Sequence, residues 1–302
     1  MLRPTRADIQ QIKVKAMGIF DGKKGLILGV ANDRSIAWYI AKFIMDQGGV
    51  CGFTHLADAD EGKQKKNRHR VEKCVEQYPA ATKFLVPLDA QSDQSIADVM
   101  ATAKKEFGEI DFLLHSIAFA KLDDLKVDSI ATSRDGFKLA MDISAYSLLA
   151  VCNAAKDILK KAKVDDKREE VLEAGASVLT LTYYGGERIV PGYNVMGICK
   201  AALESCMKYA AYDLGLHGIR VNALSAGPLK TLAGSAAGVG EFQPVYKQMA
   251  PLQRIVTHEE VGRTGGFLLS TMSDGITAET VHVDGGYSEM GTPGRLLDKY
   301  RT

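Results

Sequence analysis

Three side chains within YYGGERIVPGYNVMGICK, residues Tyr183 to Lys200, could act together on one ligand: the phenols of Tyr183 and Tyr193 and the ammonium of Lys200. Tyr193 and Lys200 stand seven residues apart. In an α-helix, two turns of about 3.6 residues return them to one face, about 10 Å apart along the axis. A phenol so placed can donate to an oxygen that gains negative charge, and an ammonium adds a full charge and three donors. Lys200 is also expected to hold a positive potential near Tyr193. That would favour phenolate character in a group whose free pKa is about 10. Tyr183 ends an apolar run and can lean into the same crevice, where it would shape the pocket or assist. Two tempting neighbours are read as packing. Cys199 is turned about 100° away from Lys200 by the helix. His115 ends a buried strand, where a histidine is more often hydrogen-bonded core than an acid or base.

The elements that must position this stretch alternate in type. Ala176 to Thr182 (ASVLTLT) reads as a buried strand, followed by a loop marked by Gly185, Gly186, Pro191 and Gly192. From Tyr193 the residues Val195, Ile198, Ala201, Ala202 and Leu203 predict a helix. Upstream, strands are predicted at 24–29, 50–54, 83–88 and 111–115, and helices from Ile36, at 95–107 and, as one long helix, at 133–161. Downstream come a strand at 218–223, a helix at 259–271 and a closing strand and turn at 279–286. This alternation predicts an α/β fold, a doubly wound Rossmann-type sheet of seven mainly parallel strands with helices on both faces. In such a sheet the turn after the first strand lies under the pyrophosphate of a dinucleotide, at a helix N-terminus. The G-x-G-x-x-G pattern is absent there, and Gly29-x5-Ser35-x-Ala37 stands in its place. A single domain over 1–302 is expected, with 1–19 as an N-terminal extension and 229–251, rich in Gly, Ala and Ser, as a substrate lid. Phe242, Tyr246 and Met249 would line a slot under that lid or pack it down. The charged run KKAKVDDKREEVLE, residues 160–173, reads as a surface insertion.

Composition sets the limits. The 302 residues are 46% apolar and 25% charged, ordinary values for a globular protein, and the net charge of +1 gives no electrostatic grip on nucleic acid or membrane. Five cysteines form no C-x-x-C pair, which suits a reducing cytosol and offers no metal site. No run of about 18 apolar residues predicts a membrane span.

The central stretch resembles the active-site signature of the bacterial-type enoyl-acyl-carrier-protein reductases, a divergent branch of the short-chain dehydrogenase/reductases. The commoner members of that superfamily carry Tyr-x3-Lys, but here the fourth residue after Tyr193 is Gly197. The Tyr-x6-Lys spacing, the upstream Tyr183 and the run His115-Ser116-Ile117 followed by a small residue are similar to the enoyl reductases instead. The resemblance implies strand order 3-2-1-4-5-6-7. It implies catalysis by Tyr183, Tyr193 and Lys200, and a substrate site of Ala120, Tyr183 and Tyr193. It places the nucleotide against Gly29, Ser35, Ile36, Leu56, Asp89, Ala90, Ile117 and Lys200, and against Leu229, Lys230, Thr231, Leu232 and Ala233. It implies reduction of the trans-2 double bond of an enoyl-acyl-carrier-protein thioester in fatty acid synthesis, by a cytoplasmic homotetramer that needs no metal. The alternatives are a short-chain carbonyl reductase or dehydrogenase, and a non-enzymatic nucleotide-binding protein. The cofactor is expected to be NADH rather than NADPH. Asp58 and Asp60 follow the second strand, where a carboxylate accepts from a ribose 2′-hydroxyl and repels a 2′-phosphate. Lys63, Lys65, Lys66, Arg68 and Arg70 are read as the solvated face of the next helix.

Overall fold

The computed structural model describes residues 17–58, 66–167, 169–231 and 239–300. Its main sheet is built from β1 (Lys24–Leu28), β2 (Val50–Leu56), β3 (Thr82–Leu88), β4 (Phe112–His115), β5 (Ser177–Thr182), β6 (Arg220–Ala226) and β7 (Thr280–Val283). The spatial order is β3-β2-β1-β4-β5-β6-β7, the expected order, and every neighbouring pair is parallel. Parallel strands bury both faces, and the sequence shows it: Leu26 and Leu28 enter one core while Ile27 between them enters the other.

The first core lies under α3 (Asp93–Phe107) and α6 (Asn194–Gly215), and the second under α1 (Ile36–Asp46) and α2 (Lys66–Val75) together with α8 (His258–Leu269). Helix α8 fixes α1, and hence the turn that starts it, by close approach. A Cβ added at Gly262 would lie 2.7 Å from the carbonyl oxygen of Tyr39, and one at Gly265 would lie 2.5 Å from the Ile40 side chain.

Three regions depart from the sequence reading. The long helix expected at 133–161 is α4 (Arg134–Met141), a π-helical segment (Asp142–Tyr146) and α5 (Ser147–Ala155). The chain leaves the helix there because Ile158 and Lys160 exchange main-chain hydrogen bonds with Ile110, forming a bridge at the start of β4. The π segment turns Ser144 inward, a polar demand from a distant loop that apolar periodicity does not encode. The charged run at 160–173 forms a small antiparallel hairpin, Lys163–Val164 with Val171–Glu173, in which the Glu173 carboxylate sits between Lys160 and Lys163. In the segment expected as a lid, α7 (Val239–Met249) is a helix with Pro244 inside it. Tyr246 anchors α7: its ring stacks on Tyr287 at 4.1 Å and its hydroxyl donates to the main-chain oxygen of Asp284. It therefore packs the segment down and does not line a slot. The Phe242 side chain lies outside the described residues.

Candidate active site

The described residues expected at the site lie at or after the carboxyl ends of β1 to β6 or at the start of α6, as an open parallel sheet requires. At the end of β1, Gly29 has φ +93°, and a Cβ there would lie 1.9 Å from the Ser116 oxygen. Only glycine lets this turn lie against the loop that follows β4. Ser35 then closes the turn: its Oγ accepts from the amides of Ala31 and Asn32 at 3.0 and 3.1 Å. Helix α1 begins at Ile36, so its first amides point out of the turn without an intrahelical acceptor. An anionic group is what such a terminus holds, and a glycine-built cradle at a helix start fits a dinucleotide pyrophosphate.

At the end of β3, the Asp89 amide donates to Ser95 Oγ and its carboxylate accepts from Gln91, with Ala90 half-buried beside it. After β4, Ile117 packs on the first core, and Ser144 Oγ clamps the loop by accepting from the Phe119 amide at 2.9 Å and donating to its carbonyl. Ala120 packs with Tyr193 against Ala140, Val195, Met196 and Cys199. Leu229 is buried in the second core, so only its main chain can face a ligand; Lys230 is exposed and Thr231 half-buried. Leu232 and Ala233 lie outside the described residues.

The structure brings Tyr183 and Tyr193 together, ring centroids 4.9 Å apart and edge to face at 70°. Asn194, at the first position of α6, adopts φ +41°, a conformation asparagine tolerates better than most residues. Its amide nitrogen donates to the carbonyls of Leu125 and Val127, tying the helix start to the segment between β4 and α4. The Tyr193 ring lies against Gly185, where a Cβ would come within 2.4 Å of it. A Cβ at Gly197 would come within 2.7 Å of the Gly185 carbonyl oxygen, so the Tyr-x3-Lys position has no room for a side chain. Lys200, one turn further along, is 6% exposed and donates from Nζ to the Leu181 carbonyl at 2.7 Å, with two ammonium protons left over.

The electrostatics correct one expectation. Burial pushes the Tyr193 hydroxyl well above the ordinary phenol range, and Tyr183 and Cys199 add to the shift. Burial likewise lifts Tyr183 to about 12, with Tyr287 adding to it. Lys200 does not draw Tyr193 toward phenolate; its ammonium turns to the strand carbonyl, and burial lowers its own pKa to about 8 despite Cys199 and Glu204. Tyr193 is a neutral donor in the folded protein. His115 is the core residue expected: Nδ1 lies 3.0 Å from Thr180 Oγ1 and Nε2 2.9 Å from Ser147 Oγ, and burial holds the ring neutral with a pKa of about 3.

At the ribose end, one of the two expected carboxylates has main-chain partners. The Asp58 carboxylate accepts from the amides of Asn67 and Arg68 at the start of α2, so it caps a helix. Asp60, Lys63 and Lys65 lie outside the described residues, and Lys66 opens α2. Sequence reading passed over Asn194, Ser144 and Ser147. Paired serines in an apolar helical run, and an asparagine just after Gly-Tyr at a helix start, are the signals that could have marked them.

The family model described as enoyl-(acyl carrier protein) reductase matches residues 29–288. The chain is 44% identical over 278 residues to the enoyl-acyl-carrier-protein reductase (NADH) FabI of Bacillus cereus, covering 91% of this chain and all of that one. It is 42% identical over 270 residues to the enoyl-acyl-carrier-protein reductase (NADPH) FabI of Staphylococcus aureus MRSA252, covering 88% and 97% of the two chains. Among solved structures, the enoyl-acyl-carrier-protein reductase of Anaplasma phagocytophilum in complex with NAD superposes with a TM-score of 0.80 at 39% identity, over 91% of this chain and 97% of that one. The matched span runs from the nucleotide turn past both tyrosines to the closing strand, and on these likenesses the chain belongs to the enoyl-acyl-carrier-protein reductase family.

Proposed function

We infer that this protein is an NADH-dependent enoyl-acyl-carrier-protein reductase of fatty acid synthesis. The observation that carries the reading is the pairing of Tyr183 with Tyr193 in a chain that also has the glycine-built nucleotide turn and whose relatives are named enoyl-acyl-carrier-protein reductases, most of those compared for NADH. NADH, when bound, supplies a hydride to the β-carbon of the trans-2-enoyl thioester. The double-bond electrons then move toward the thioester oxygen, and the protein must stabilise that charge. Tyr193, held neutral by burial, donates its O–H to this oxygen. Lys200 directs its two spare donors to the nicotinamide ribose hydroxyls and adds positive potential. Tyr183 walls the pocket against the Tyr193 ring, and Ala120, packed in the same cluster as Tyr193, would leave room for the acyl thioester. Gly29, Ser35 and Ile36 would hold the pyrophosphate, Leu56, Asp89 and Ala90 the adenosine, and Ile117 with Leu229 to Ala233 the nicotinamide half. The segment 229–251 would be the lid, with Tyr246 anchoring its α7 part. Spectrophotometric oxidation of NADH with crotonyl-CoA, against a panel of ketones, tests the activity: turnover only with the enoyl thioester is expected, and turnover with ketones alone would make this a carbonyl reductase.

The working form we propose is a cytoplasmic homotetramer acting on enoyl-acyl carrier protein and on neither nucleic acid nor membrane. Among the described residues no helix is long and apolar enough to cross a membrane. Helix α6 leaves Tyr209 and Tyr212 at least 70% exposed, and the π segment leaves Tyr146 half-exposed. Aromatic side chains left open along one long helix need a partner, and closed symmetry supplies it. Light scattering at micromolar concentration should return the tetramer mass; a monomer would refute this assembly.

A further inference from the structure

Glu204 stands one helical turn beyond Lys200 on the same face of α6, and both side chains are buried. Three consecutive residues at the end of β5 meet this helix. The Leu181 carbonyl accepts from Lys200 Nζ, the Thr182 hydroxyl donates to Glu204 Oε1 at 2.5 Å, and the Tyr183 ring lies on Tyr193. The turn at 184–186 covers the carboxylate. A Cβ at Gly186 would lie 2.8 Å from Glu204 Oε1 and 2.9 Å from the main-chain carbon of Lys200. On the outer side, Glu187 of the same loop is hydrogen-bonded to His282 of β7 at 2.7 Å.

A charge so enclosed acts strongly on its neighbours. Burial lowers the pKa of Lys200, and Cys199 and Glu204 both oppose that fall. The other ionisable groups around Lys200 are uncharged near neutral pH. Burial holds His115 neutral, pushes Cys199 up to about 11 and Tyr183 up to about 12, and lifts Tyr193 above the ordinary phenol range. Burial raises the Glu204 carboxyl as well; the Thr182 hydrogen bond opposes this, Glu187 adds to it, and Lys208 and His282 oppose it. Glu204 is thus the neighbour able to supply negative charge to Lys200. We propose that Glu204 is a positioning residue of the nucleotide site that acts through Lys200: its carboxylate, oriented by Thr182, keeps the lysine in the ammonium form that holds the nicotinamide ribose. A neutral amine bonded to Leu181 would have one spare donor in place of two, and no charge. The assignment rests on the dinucleotide reading above.

Titration of the full-length protein with NADH from pH 6 to pH 9, without substrate, tests it. Wild type should keep its affinity up to about pH 8, where Lys200 loses its proton. Glu204→Gln keeps an acceptor for Thr182 and removes only the charge. An opposite charge at this spacing moves a buried group by about one pH unit, so the fall in affinity should begin about one unit lower. The variant should match wild type at pH 6 and bind about fivefold more weakly at pH 8. A profile equal to wild type overturns the assignment, and so does a loss of the same size at pH 6 and pH 8, which a merely structural role would give. Should Glu204→Gln fail to fold, carboxyl-carbon NMR decides. The Glu204 resonance of wild type should step near pH 8 as Lys200 releases its proton, and Lys200→Met should abolish that step. The absence of a step, or one that survives in Lys200→Met, overturns the proposal. Failure of wild type to bind NADH at any pH would refute the dinucleotide reading itself, a different result from binding whose pH dependence ignores Glu204.

Discussion

Tyr193→Phe is expected to lower kcat with an enoyl thioester by about 10²- to 10³-fold, the usual loss when one donor is removed from a developing oxyanion. The substitution deletes one oxygen and keeps the ring. The edge-to-face contact with Tyr183 and the packing against Gly185 survive, so the fold and the nucleotide site should be undisturbed. NADH affinity should accordingly stay near the wild-type value, and the loss should fall on kcat and kcat/KM together, the mark of an interaction made in the transition state. Because burial holds the Tyr193 hydroxyl above the ordinary phenol range, wild-type activity should show no loss from its ionisation at or below pH 10. An unchanged kcat in Tyr193→Phe would remove the residue from the reaction. A matching loss of NADH affinity would make it a binding residue instead.

Lys200→Met is expected to separate function from stability. NADH binding should weaken about 10- to 100-fold, as when a charged donor is withdrawn from buried hydroxyls, and turnover should fall with it. Stability should move the other way. Burial lowers the folded-state pKa of Lys200 from 10.5 to about 8. Below pH 8 folded and unfolded chains both carry the proton, and folding bears the full penalty of a buried charge, on the order of 3 kcal/mol. Between about pH 8 and 10.5 the unfolded chain still binds a proton that the folded chain has released, so wild-type stability rises with pH across that window. In Lys200→Met that rise should vanish. At neutral pH its melting temperature should be no lower than wild type, because removing the charge offsets the lost bond to the Leu181 carbonyl. A clear drop in melting temperature at pH 7 would show that Lys200 is held for the fold. Full NADH affinity would remove it from the nucleotide site.

Sequence by itself determined the layered α/β fold, the strand order by way of the family resemblance, and the identity of the tyrosines and lysine. Each of these rests on local pattern. A strand buried on both faces needs a continuous apolar run, as in Leu26 to Leu28 or Val178 and Leu179. A helix face repeats by its own geometry, and the departure at Gly197 from the common spacing is written in the chain. What only the tertiary structure decided is where polar groups find partners. Asp58 accepts from the α2 amides, Lys200 donates to the Leu181 carbonyl, and Ser144, in a π segment, clamps Phe119. Glu204 accepts from Thr182 at the end of β5. Apolar burial is non-directional and can be read from composition and period. A hydrogen bond fails within a few tenths of an ångström or tens of degrees, so its partner is fixed only when segments distant in sequence have been brought into place.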